Sequence, residues 1–176
     1  RKRIVYADGE EAVVLRAIQT VIDEDIARPV VIGRPAVVES RIESLGLRLK
    51  PGVDFDIVNP ENDARFREYS TAYFDLMKRK GVSLHEARTV MRTSTTVIAA
   101  LLMAKGEADA MLCGYTGAYR DHLRHLVDIL GKAHGLDAIG RAGARGQREI
   151  RVEHVLGIRV AFDAHRLALM PDIDVG

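Results

Sequence analysis

Short β-branched runs alternate with helix-period stripes along residues 1–131, and few architectures accept that order. Ile4-Val5-Tyr6-Ala7, Val30-Val31-Ile32-Gly33, Phe55-Asp56-Ile57-Val58 and Ala110-Met111-Leu112-Cys113 read as strands. After the first, Val14, Ile18, Val21 and Ile22 recur at helical spacing. Asp8, three residues before Glu11, predicts a capping box opening that helix, and Pro29 predicts its end. Pro35 opens the next helix, with Val38, Ile42 and Leu45 inward and Gly46 as a left-handed cap.

Phe66, Tyr69, Tyr73, Leu76 and Met77 mark a long helix closing at Gly81. Ser83 and Glu86 form a second capping box, ahead of Ala87, Val90 and Met91. Val97, Leu101 and Leu102 mark a helix ended by Gly106; Leu123, Leu126, Val127 and Leu130 mark one ended by Gly131. The order predicts a three-layer α/β/α domain around a mostly parallel sheet. Such sheets bind ligands beyond the carboxyl ends of their strands. That directs attention to Asp8-Gly9-Glu10-Glu11, Gly33-Arg34-Pro35, Asn59-Pro60-Glu61 and Gly114-Tyr115-Thr116-Gly117.

Beyond Lys132 the character changes. Gly135, Gly140, Gly143 and Gly146 are interleaved with Arg141, Arg145 and Arg148. Two β-like runs follow, Ile150–Val155 and Ile158–Phe162, and the final Pro171–Gly176 segment has no closing element. Residues 132–176 therefore read as an atypical tail beside a domain at 1–131.

The chain has 176 residues, enough to bury roughly 70% of its unfolded surface around one core. Lys and Arg number 26 against 25 Asp and Glu, so bulk charge does not drive nucleic-acid binding. One cysteine excludes an internal disulfide and a cysteine-based zinc site. No apolar run reaches the ~18 residues that span a bilayer, and no signal peptide is visible. A cytoplasmic enzyme or binding module, with no nucleic-acid or membrane partner, is the expectation.

The Gly114–Gly117 turn joins a strand to a helix bearing Arg120 and Arg124 one turn apart. Backbone N–H groups and paired guanidinium groups suit a phosphate or carboxylate. The same residues also make an ordinary connection with two solvated arginines. No Gly-Lys-Ser/Thr follows, so this is no Walker loop, and the three-glycine dinucleotide fingerprint is missing after the first strand. Asp8-Gly9-Glu10-Glu11 would repel a phosphate.

His122 and His125, with Asp121 adjacent, read as surface histidines or as an incomplete metal pair; no third ligand is evident. Cys113 has no neighbouring His and reads as a small buried hydrophobe. Lys78-Arg79-Lys80 complements a helix C-terminus. Arg88 and Arg92 continue a basic surface, and Thr93-Ser94-Thr95-Thr96 suits capping as well as it suits a phosphorylated ligand.

Several segments, in order, resemble the phosphate acetyl/butyryltransferase family. They are Arg3–Glu11 with Val14-Leu15-Arg16-Ala17, Ala27–Pro35, Lys80–Arg88 and Gly106–Gly114. With Leu45–Phe55 and Arg92–Thr96, the chain is most similar to the C-terminal phosphotransacetylase-like domain of bacterial NADP-dependent malic enzymes. The resemblance implies one lobe of a two-lobed acyltransferase-like fold with acyl-CoA in the cleft between lobes. It also implies acetyl-CoA as a regulator, a role in homo-oligomer assembly, and malic-enzyme catalytic domains as partners. NADP and a divalent metal would belong to those domains, which oxidatively decarboxylate malate to pyruvate; none is expected here.

Two departures qualify the resemblance. Where active phosphotransacetylases have Glu-Leu-Arg-Lys-x-Lys-Gly, this chain has Asp75-Leu76-Met77-Lys78-Arg79-Lys80-Gly81, with Met77 in the place of the substrate arginine. The Asp-x-Leu-Arg pattern survives as Asp121-His122-Leu123-Arg124, which makes Arg124 the implied anion contact. Arg120, Asp121, Gly114, Tyr115, Thr116 and Gly117 would assist it; no catalytic residue is assigned. The second departure is the family's C-terminal lobe, which residues 132–176 do not resemble. They read as a divergent or frame-altered end of a truncated copy. The alternative expectation is a phosphate acetyltransferase moving acetyl between phosphate and CoA.

Overall fold

Alternate residues of each strand face opposite layers, and this alternation builds the domain. The computed structural model describes residues 1–131 and the strand backbones of Glu153–Val155 and Ile158–Phe162. The strands are β1 (Arg3–Tyr6), β2 (Arg28–Ile32), β3 (Asp56–Val58), β4 (Ala110–Cys113), β5 (Glu153–Val155) and β6 (Ile158–Phe162). Their order across the sheet is β3-β2-β1-β4-β6-β5. All neighbours are parallel except β5 and β6, as the sequence order predicts for a mostly parallel sheet.

The α-helices among the described residues are α1 (Ala12–Asp23), α2 (Pro35–Ser44), α3 (Phe66–Met77), α4 (Leu84–Thr93), α5 (Thr95–Ala104) and α6 (Tyr119–Leu130), with a 3-10 turn at Lys78–Lys80. On one face, Tyr6, Val31 and Leu112 pack with Val14, Leu15 and Ile18 of α1 and Val38 and Ile42 of α2. On the other, Val5, Val30, Ile32, Met111 and Cys113 pack with α3 through α6. This is the three-layer α/β/α arrangement.

The second capping box forms as expected. Ser83 Oγ accepts from the Glu86 N–H at 3.2 Å, and Glu86 Oε2 accepts from the Ser83 N–H at 2.7 Å. Ser94 caps α5 by accepting from the Val97 N–H. Gly46 and Gly81 have φ of 64° and 88°, the left-handed backbone that glycine tolerates at helix ends.

Two boundaries differ from expectation. α1 ends at Asp23, through Asp25 at φ 59°, and Pro29 lies inside β2. Pro29 is tolerated there because β3 pairs only from Val30 onward, so no ladder bond is lost on that side. Phe55 is a buried bridge partner of Pro51 ahead of β3. Of the first β-like run of the tail, Glu153–Val155 is a described strand, and the second run joins β4 in parallel. The glycine- and arginine-rich stretch at 135–148 and the segment 171–176 lie outside the described residues.

Candidate functional site

The strand order makes β1 and β4 neighbours, while α1 and α6, which follow them, pack on opposite faces. Their two loops therefore leave the sheet toward opposite layers at its carboxyl end, the usual ligand position in open α/β sheets. The Ala7 N–H donates to Leu112 O at 2.9 Å, and the Gly9 N–H donates to Ile32 O at 3.2 Å. Asp8 thus sits between the two neighbouring strands. A Cβ at Gly9 would lie 2.3 Å from Val31 Cγ1 and 2.6 Å from Ile32 O, so this approach needs glycine.

The Asp8 carboxylate does not cap α1, contrary to the capping box expected from its spacing. The α1 N-cap is Glu11, which makes no side-chain cap bond. Asp8 instead reaches the turn that follows β4. Its Oδ2 accepts from the N–H groups of Gly114 at 3.1 Å and Tyr115 at 3.2 Å, and its Oδ1 accepts from Thr116 Oγ1 at 2.7 Å. These amide donors are the ones that spacing alone offered to a ligand anion.

The far side of the turn is held by His122 of α6. Its Nε2 lies 2.7 Å from Thr116 O and its Nδ1 lies 2.8 Å from Thr96 Oγ1. A carbonyl only accepts, so Nε2 donates to Thr116, and in the neutral ring Nδ1 then accepts from the buried Thr96 hydroxyl. Asp8, Thr116, His122 and Thr96 therefore form one chain of hydrogen bonds from β1 to α5. Gly117, at φ 89°, fits where a Cβ would stand 3.0 Å from His122 Nε2.

The remaining sequence-predicted residues lie on the outer side of α6 and its entry. Tyr115 and Thr116 are exposed, and so are Gly117, Arg120, Asp121 and Arg124. Arg124 Nη2 lies 3.5 Å from Asp121 Oδ1 in an exposed i,i+3 pair, a contact too solvated to fix either side chain. Burial, with Arg124 adding repulsion, lowers the pKa of His125 and favours its neutral form. Among the described residues no group of three or more His, Cys, Asp and Glu side chains converges as a metal site. Cys113 is 3% exposed, and burial, then the Asp8 charge, push its thiol pKa up, so it is inert packing as expected. Met77 is buried in the core beside α4 and α5.

Two features escaped the sequence reading. At the β2 end, Glu10 holds Arg34 through a bidentate contact of 2.9 and 2.8 Å, and Arg34 keeps the carboxyl below the usual range. At the β3 end, Val58, Asn59, Pro60, Asp63, Phe66, Tyr69, Met91 and Ile98 line a cavity of about 10 Å³, room for one water. Arg120 and Arg124 do not line it. Beside it Arg65 bonds Asp63 at 2.8 Å and Glu107 at 2.6 Å. Glu107 also accepts from the Tyr69 hydroxyl. The sequence signal for this cluster is the Asn59-Pro60-Glu61 loop at the carboxyl end of the third strand.

Comparison with known proteins places these elements. The family model described as phosphate acetyl/butaryl transferase matches residues 1–141. An NAD-dependent malic enzyme of Rhizobium meliloti (strain 1021) is 48% identical over 136 residues, 77% of this chain and 18% of that protein. An NADP-dependent malic enzyme of Escherichia coli (strain K12) is 46% identical over 143 residues, 81% of this chain and 19% of that protein. The chain thus spans about a fifth of the length of these relatives. A phosphotransacetylase structure from Streptococcus pyogenes superposes with a TM-score of 0.70 at 25% identity, covering 78% of this chain and 40% of that one. By sequence and by fold, the chain belongs to the phosphate acetyl/butaryl transferase family.

Proposed function

We propose that this chain is a regulatory, acyl-CoA-binding and oligomer-forming part of a cytoplasmic NADP-dependent malic enzyme. The parent would oxidatively decarboxylate malate to pyruvate through other domains that bind NADP and a divalent metal. The observation that carries the reading is the contrast in identity. Two malic enzymes stand at 48% and 46%, and a phosphate acetyltransferase matched over a similar length stands at 32%.

The burial of Met77 supports it. A thioether packed in the core offers no charge to a transferring phosphoryl or acyl group. Arg124 and Arg120, exposed on α6, are the proposed phosphate contacts, with Asp121 and the Gly114–Gly117 turn shaping their surroundings. An effector held there acts by its differential affinity for two domain arrangements. Calorimetry of the chain with acetyl-CoA should give saturable heat. Arg124→Ala should weaken it about tenfold, the scale of one lost charge-assisted hydrogen bond. Unsaturable heat, or an unchanged variant, overturns the reading.

The second reading is a phosphate acetyltransferase, favoured by the family model and by the Streptococcus pyogenes structure. CoA-dependent turnover of acetyl phosphate that is lost in Arg124→Ala would decide for it.

A further inference from the structure

We propose that Asp8 is a specificity-determining residue where the loops after β1 and β4 meet: its carboxylate keeps free phosphate and carboxylate ions out of the Gly114–Thr116 turn. Two backbone N–H groups and one hydroxyl converge there, a donor set suited to an anion. The chain supplies that anion itself, at 3.1, 3.2 and 2.7 Å. An incoming phosphate must break all three bonds and then lie beside the carboxylate it displaced. Like charges at such separations repel strongly where water is partly excluded.

Asp8 has little freedom to swing aside. The residues on either side of it are pinned to opposite neighbours, Ala7 to β4 and Gly9 to β2. Thr116 is held from the other side by His122. The turn is therefore closed to small anions. This inference stands apart from the acetyl-CoA reading, because it concerns which ions the turn refuses.

The test follows the Gly114 and Tyr115 amide resonances of the full 176-residue chain while inorganic phosphate is added. In the wild type neither amide should show saturable movement. In Asp8→Asn, which keeps the shape and removes the charge, both should move saturably, with phosphate bound about tenfold tighter or more. Thr116→Val retains the carboxylate and should behave like the wild type. Asp8→Asn binding phosphate no better than the wild type, or Thr116→Val gaining as much as Asp8→Asn, overturns the proposal.

Hydrogen exchange in the wild type provides a reading that needs no variant. The two amides should exchange slowly, and exchange at the rate of an open loop contradicts the proposal. Acetyl-CoA heat is a separate measurement. Its absence removes the regulatory reading and leaves the phosphate contrast standing.

Discussion

Helices α5 and α6 pack against each other on one face of the sheet, yet they are built for opposite tasks. In α5 every residue from Thr96 to Met103 is buried. A helix apolar on all sides must be enclosed on all sides. In α6 only Leu126, Ile129 and Leu130 are buried, and Arg120, Asp121 and Arg124 face solvent. The difference teaches where function can reside. α5 has no surface to offer a ligand, so it fixes the layer; α6 has a polar face to spare. Thr96 meets His122 at the seam, where the inner helix orients the outer one.

Substitutions can break or sharpen this contrast. Leu101→Ala in α5 should cost the most, about 3 kcal/mol, because a side chain 1% exposed leaves a cavity that the layer cannot collapse. Urea unfolding measures it, and a loss under about 1 kcal/mol would mean that α5 is not the rigid member. Thr96→Val should cost about 1–2 kcal/mol, since it leaves His122 Nδ1 without its donor while keeping the volume. If Thr96→Val is neutral, the seam does not orient α6.

The loop leaving α5 carries a smaller, pH-dependent effect. Burial alone would raise the Glu107 carboxyl, but the Tyr69 hydroxyl and Arg65 outweigh it and hold the pKa below the ordinary 4.5. A depressed carboxylate stabilises the fold above its unfolded pKa and loses that contribution as pH falls through its folded value. Glu107→Gln should therefore be less stable than the wild type at neutral pH, and the gap should close on acidification. A gap that is constant down to about pH 3 contradicts this account. Arg124→Ala should have the smallest effect on stability, within about 0.5 kcal/mol, because its pair with Asp121 is solvated. Thermal melting checks it; a large loss would place Arg124 among the structural residues.

Much of this was legible along the chain. The alternation of runs and stripes gave strand and helix order, because burial on one or two faces writes its period into the sequence. Ser83 and Glu86 were legible because a capping box closes within four residues. The exposure of Arg124 was legible because it falls opposite Leu126 on the helix.

Asp8 shows where local reasoning stops. Its spacing to Glu11 matches the capping box that Ser83 and Glu86 form, yet its partners lie 106 to 108 residues away. Nothing in residues 8–11 encodes that choice. Thr96 and His122 were likewise noted as a cap and as a surface histidine, and their bond crosses 26 residues. Sequence alone determined which segments are strands, which are helices, and which face of each is apolar, since these follow from neighbours three or four residues apart. Tertiary structure decided that β1 lies between β2 and β4. That placement brought the Asp8 carboxylate to the amides of a distant turn, because a polar group near a buried edge takes the donor that is closest in space.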